Sequence, residues 1–262
     1  KRSNNLGLYE YYYKGAWCYL PFPIVHSIRD DLPYFHGKGG EFFHTQSSHN
    51  TFGNLVQNYY VGAKLTWNAK AGVDSILNDF YDKFYGKASQ PMKQYYERLE
   101  RAMIEQGGVI SHPGMTRMIG QALRVFTPDV MDDAVGFIAE AKSQSDNPKI
   151  MKRIHLSEIT LDYTKKAMEY LRYVKKSNMG WQQTANWKEE AKRKAEEVEK
   201  YVQTTSFPEL NKIGEYNVNR LLLSQHENLD ALSTMDMENR NKLQWIEDID
   251  PGWELPVLEG YF

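Results

Sequence analysis

Two carboxylates lie in stretches that read as short strands. In LGLYEYYYKGAW, the two-residue alternation of an extended chain sets Leu8, Glu10 and Tyr12 on one side and Tyr9, Tyr11 and Tyr13 on the other. In GEFFHTQ it sets Glu41, Phe43 and Thr45 opposite Phe42, His44 and Gln46. A pair of carboxyls on one sheet is suited to cleaving a glycosidic bond, one delivering a proton to the leaving oxygen and the other acting on the opposite face of the ring. Glu10 and Glu41 are therefore the candidate catalytic pair. The alternative is structural: a carboxylate inside a sheet must be hydrogen-bonded or functional, and an arginine or a backbone amide would satisfy either one.

The residues that follow each carboxylate fit the same chemistry. Tyr12, Tyr13 and Trp17 come after Glu10, where a ring can stack on the apolar face of a pyranose. Tyr12 shares a side with Glu10, so its phenol can orient the carboxyl while nearby rings raise its pKa by desolvation, as a general acid requires. After Glu41 come His44, Gln46, His49 and Asn50, a set of donors and acceptors suited to a ligand rich in hydroxyls. His44 and His49 stand five residues apart across a loop, without a carboxylate at a diagnostic spacing, and no metal site is expected. No phosphate-cradling glycine loop, zinc-protease signature or nucleophile elbow occurs, and no cofactor is expected.

The elements that must hold these residues alternate at first. The Leu6–Trp17 run reads as a strand. IVHSIRDDLPYF reads as a helix interrupted or ended near Pro33, and Glu41 to Thr45 as a second strand. Phe52, Leu55, Val56, Tyr59 and Ala63 then recur at helical spacing. Strand, helix, strand, helix with short connections points to a parallel α/β arrangement. Val73, Ile76, Leu77, Phe80, Tyr81, Phe84 and Tyr85 predict a strongly amphipathic helix, with Gly86 placed to end it in a left-handed turn.

Beyond Gly86 no strand is expected, so the fold class is α/β followed by all-α. Boundaries are expected at 1–86 and 87–262. Thr127 and Pro128 mark a helix start. Ile154, Leu161 and Met168 on one face, and Tyr163, Ala167, Tyr170 and Val174 on another, place one helix between partners. Ala191, Ala195, Val198 and Val202 form a narrow stripe beneath dense alternating charge, the pattern of a solvated helix laced with ion pairs. The last twenty residues, with Trp245, Trp253 and Phe262, read as an extended strap.

Composition sets the bounds. The chain has 262 residues, of which 41% are hydrophobic and 25% charged, enough for a folded core. A net charge of -2 argues against nucleic acid as a partner, and no apolar run is long enough to span a bilayer. Aromatics reach 13%, with 18 tyrosines. Cys18 is the only cysteine, which rules out an internal disulfide. The chain opens on Lys-Arg-Ser-Asn-Asn rather than on an initiator methionine, and reads as a piece of something longer.

The segment NYYVGAKLTWNAKAGVDSILNDFYDKFYGKASQPMKQYYERLE, Asn58 to Glu100, resembles a recurrent stretch of the domain-of-unknown-function 4838 family of bacterial glycoside-hydrolase-like proteins. The downstream RIHLSEITLDYTKKAMEYLRY resembles that family's helical region, and a fainter similarity runs to alpha-glucuronidases. The resemblance implies the C-terminal part of a (β/α)8 TIM-like barrel followed by an all-helical domain. The partners it implies are a carbohydrate substrate and the N-terminal remainder of the barrel, and it implies a bacterial, extracytoplasmic location. Two other readings stay open: a non-catalytic carbohydrate-binding or scaffolding protein, and a structural helical interaction module.

Overall fold

A computed structural model of the chain describes residues 6–13, 17–46, 52–106, 122–178 and 184–205. Among them are two strands, β1 (Leu6–Glu10) and β2 (Gly40–Thr45), and seven long helices. The helices are α1 (Val25–Gly37), α2 (Phe52–Trp67), α3 (Val73–Tyr85), α4 (Ser89–Glu105), α5 (Pro128–Ser143), α6 (Pro148–Asn178) and α7 (Thr184–Thr204). The order is α/β and then all-α, as the sequence pattern implies. Two compact units divide the chain. The first takes Lys1–Gly15, Leu20–Glu105 and Pro128–Leu161; the second takes Ala16–Tyr19, Gln106–Thr127 and Asp162–Phe262. Gly86 lies inside the first unit.

β1 and β2 run parallel, joined by α1, with Leu8 opposite Phe43, Tyr9 opposite His44 and Glu10 opposite Thr45. The expected alternation is present: Leu8 and Glu10 are half-buried and Tyr12 is 3% exposed, whereas Tyr9 and Tyr11 are half-exposed. Leu8, Tyr12 and Phe43 pack against Val25, Ile28 and Leu32 of α1 and Val61 and Leu65 of α2. One face of the sheet is thus covered by helices. β1 ends earlier than its aromatic run suggests. The Gln46 amide donates to the Glu10 carbonyl at 3.1 Å. The next ladder position is then taken by a side chain, Thr45 Oγ1, which accepts from the Tyr12 N–H at 2.9 Å.

α1 continues through Pro33, which was expected to interrupt or end it, and stops at Gly37. Proline removes one intrahelical bond, to the carbonyl four residues back. Leu32 in the core keeps the helix docked across that gap. At its other end, α1 has no cap of its own. Glu100 of α4 supplies one, accepting from the His26 N–H at 2.7 Å and from His26 Nδ1 at 2.5 Å, and this bond raises the His26 pKa.

Three consecutive residues of α2 fix its surroundings. Asn58 donates to the Phe22 carbonyl at 2.7 Å, Tyr59 donates to the Gln46 carbonyl at 3.3 Å, and Tyr60 donates to Asp79 Oδ2 at 2.7 Å. The buried face of α2 is rotated from the expected stripe: Ala63 is exposed, while Gln57 and Asn58 are buried. α3 buries Val73, Ile76, Phe80, Tyr81 and Tyr85, and ends at Gly86, whose positive φ of 54° suits glycine although its ψ of -121° lies outside the left-handed helical turn expected there. Tyr85, Tyr95 and Tyr96 continue this aromatic core, with the Tyr85 and Tyr96 hydroxyls 3.0 Å apart. Arg98 of α4 binds Asp129 and Asp133 of α5 at 2.9 and 2.7 Å.

In the second unit, Tyr163 donates to the Cys18 carbonyl at 2.7 Å and meets Tyr19 edge-on. Cys18 and Tyr19 have φ of 51° and 73°, which non-glycine residues rarely adopt. Both apolar faces expected on α6 are buried, as is the Ala191, Ala195, Val198 and Val202 stripe of α7. Arg193 pairs with Glu190 and Glu197 along the exposed face of α7, and Lys194 reaches Glu169 of α6 at 2.7 Å. The tail from residue 206 onward lies outside the described residues.

Gly62 lets α2 approach the sheet: a Cβ there would sit 2.6 Å from the Tyr12 ring, itself locked in the core. Gly62→Ala gains helix propensity of about 1 kcal/mol, but it forces that ring aside, an overpacking cost of roughly 1–3 kcal/mol. The expected outcome is a lower melting temperature, measured by circular dichroism. Alanine at exposed Gly136, where a Cβ meets nothing within 4 Å, should raise it instead.

Candidate functional site

The sheet offers chemistry on two sides and at one end. On the open side Tyr9 lies between Tyr11 and His44, with ring centroids at 5.3 and 5.0 Å. Phe42, two residues before His44 on β2, is 59% exposed. Four rings therefore stand on one face, with Tyr9, Tyr11 and Phe42 each half or more exposed. His44 is thereby placed with the tyrosines of β1, and its exposed imidazole adds a donor and an acceptor to an apolar wall.

Glu10 lies on the other side. Its carboxyl is half-buried toward the helices, accepts a hydrogen bond from the Tyr11 amide, and makes no ion pair among the described residues. Burial raises its pKa, and the charge of Asp31 on α1 raises it further. The expected direction of the shift is present, but the carboxyl faces the helix layer. Tyr12 does not hydrogen-bond to it. The Tyr12 ring lies in the core, where burial pushes its hydroxyl well above the ordinary tyrosine value.

Glu41 is exposed and stands at a bulge, since Leu6 pairs with Gly40 and Gly7 with Phe42. Glu10 pairs with Thr45, four residues along β2 from Glu41, a separation of roughly 13 Å at about 3.3 Å per residue. Two carboxyls acting on one glycosidic bond stand about 5–9.5 Å apart. The structure does not bring Glu10 and Glu41 together.

The expected binding residues divide three ways. His44 joins the open aromatic face. Gln46 and Tyr13 are half-buried beyond the strand ends, and Gln46 is engaged through its backbone, its carbonyl accepting from Tyr59. Tyr12 and Trp17 were expected to stack on a ligand and are corrected here. They are 3% and 2% exposed, and Trp17 packs against Phe126 in the second unit, so neither ring has a free face. His49 and Asn50 lie outside the described residues. No cluster of three or more potential metal ligands occurs among the described residues. No described helix is long and apolar enough to cross a membrane.

Tyr9 and Tyr11, which alternation places together, lie on the side opposite Glu10 and were not among the expected binding residues. Nor was Trp67, which is 92% exposed at the end of α2.

The raised pKa of Glu10 has a sign. A carboxyl whose folded pKa exceeds its unfolded value, near 4.5, costs stability as pH rises from that value through the folded pKa, and the cost persists above it. Glu10→Gln removes the charge and keeps the volume. The variant should be at least as stable as the parent at pH 7 and lose that advantage below pH 4.5, read from denaturant midpoints at both pH values. A lower midpoint at pH 7 would show the carboxylate to be stabilising.

Residues 1–97, from the strand pair through the first half of α4, match the family described as Domain of unknown function (DUF4838). No curated protein and no solved structure matches the chain. The resemblance carried by Asn58 to Glu100 thus extends back over both strands, and the first 97 residues of this chain are similar to the DUF4838 family.

Proposed function

We propose that the chain is the C-terminal portion of a glycoside-hydrolase-like protein and that its sheet supplies an aromatic wall for a poly- or oligosaccharide. The observation that carries this is the one-sided cover of the strand pair. Helices α1 and α2 lie over the Leu8, Tyr12 and Phe43 side, while Tyr9, Tyr11, Phe42 and His44 stand open on the other. Tyrosine and phenylalanine rings suit the C–H faces of sugars, and the phenols and imidazole suit their hydroxyls. Parallel strands with helices on one side are also the repeating unit of a (β/α)8 barrel. In that reading β1 and β2 are neighbouring barrel strands, the open face looks inward, and the protein works outside the cytoplasm.

Carboxylate acid/base chemistry enters this reading in a reduced form. Glu10 and Glu41 do not serve one bond together, so within this chain the wall binds and orients saccharide. The test is isothermal titration of the 262-residue chain with a panel of neutral oligosaccharides. The expected result is binding that weakens by about tenfold or more in the Tyr9→Ala, Tyr11→Ala double variant, on the scale of losing two stacking rings. Binding by neither protein, with no ligand shifting the melting temperature, would overturn the reading in favour of a structural helical module.

A further inference from the structure

A second concave surface adjoins the open aromatic face at Phe42. The last turns of α1 and α2, the start of β2 and the chain following α2 enclose a groove of about 630 Å³, within the range of small-ligand sites. Its apolar walls include Phe35, Phe42 and Trp67, and its polar lining includes Glu41, Asn68 and Lys70. We propose that this groove is a binding site for a neutral saccharide, with Trp67 stacking on a pyranose ring and Glu41, Asn68 and Lys70 binding its hydroxyls. The proposal takes its ligand class from the reading above and shares Phe42 with the open face, whereas Trp67, Glu41, Asn68 and Lys70 belong to the groove and not to that face.

Three observations converge on it. Trp67 is the most exposed large apolar side chain described, at 92%, and it ends α2 at the groove. A lone exposed ring needs no explanation, but this one shares a concavity with Phe42 and Phe35.

The second observation is the floor. Phe35 lies over Gly40 so closely that a Cβ there would sit 2.1 Å from the ring, so glycine at 40 holds the ring down and leaves the groove open. Glu41 follows at once, at the bulge, where an extra residue turns a side chain out of the regular alternation.

The third observation is the state of the polar groups. Glu41 and Lys70 make no ion pair among the described residues. Asn68 accepts the Lys70 N–H with its side-chain oxygen at 3.1 Å, which leaves its NH2 group to donate.

The charges choose the ligand class. A carboxylate and an ammonium lining one groove favour neither an anion nor a cation strongly. A hydroxyl both donates and accepts, so adjacent hydroxyls on one sugar can give a hydrogen bond to Glu41 and take one from Lys70. Glu41 thereby acquires a role as a binding acceptor rather than as half of a catalytic pair.

The experiment is a titration of the isotope-labelled 262-residue chain with neutral cello-, xylo- and malto-oligosaccharides, following the Trp67 indole N–H resonance, identified by its loss in Trp67→Ala. Affinities are measured in parallel for Trp67→Ala, Glu41→Gln and the Tyr9→Ala, Tyr11→Ala variant. The expected result is a saccharide-dependent shift of the Trp67 signal, with affinity at this site about tenfold weaker or worse in Trp67→Ala and reduced in Glu41→Gln. The tyrosine variant should leave that shift intact. A Trp67 signal that no saccharide moves overturns the site, as does a Trp67→Ala chain that binds as the parent does. If the tyrosine variant alone then loses binding, the open-face reading stands without the groove; if nothing binds at all, both fall. A Trp67 shift with glucuronic-acid oligomers alone overturns the neutral-ligand assignment.

Discussion

The Tyr12 ring lies against bare backbone at Gly62, and the sidedness of the sheet follows from that contact. Side chains alternate along a strand, so seating Tyr12 in the core turns Leu8 and Glu10 the same way and sends Tyr9 and Tyr11 outward. Parallel pairing then sorts β2: Phe43 joins the core side, and His44 joins the tyrosines. A slip of one residue in either strand would expose what is now covered. The chemistry available on each face is therefore a by-product of where one large ring found room.

The helices hold that arrangement through polar groups as well as apolar ones. Asn58, Tyr59 and Tyr60 are adjacent in sequence, yet they reach the chain before α1, the chain after β2, and α3. The Asn58 bond is buried, and leaving one partner unsatisfied there costs more than the bond itself contributes. Glu100 plays a related part from α4, standing in for the missing cap of α1. The family match spans the strands and the helices they bond to, ending inside α4 just short of this glutamate.

How much of this was legible depended on what each residue's role required. The α3 aromatics, the Gly86 stop and the two apolar faces of α6 were readable because hydrophobic periodicity reports burial directly. α2 was misread in phase because two of its buried residues, Gln57 and Asn58, are polar, and hydropathy cannot register a polar side chain buried with its partners. Trp17 was placed on the ligand side because the aromatic run looked like one long strand, whereas the Thr45 hydroxyl ends the ladder and residues 17–19 belong to the second unit. The raised pKa of Glu10 was anticipated in direction, but the side it faces depends on tertiary packing that no alternation pattern specifies.

The bulge at Glu41 has an evolutionary side. Strand length is ordinarily rigid under insertion and deletion, since each added residue inverts everything downstream of it. A bulge is the one place in a ladder that already holds a supernumerary residue, and the pairing from Gly7 and Phe42 onward is regular in spite of it. The start of β2 can therefore gain or shed a residue while the core and the open face keep their registers. Related chains would be free to vary in length and in side chain at this position, retuning what the adjoining surface recognises without renegotiating the fold beneath it.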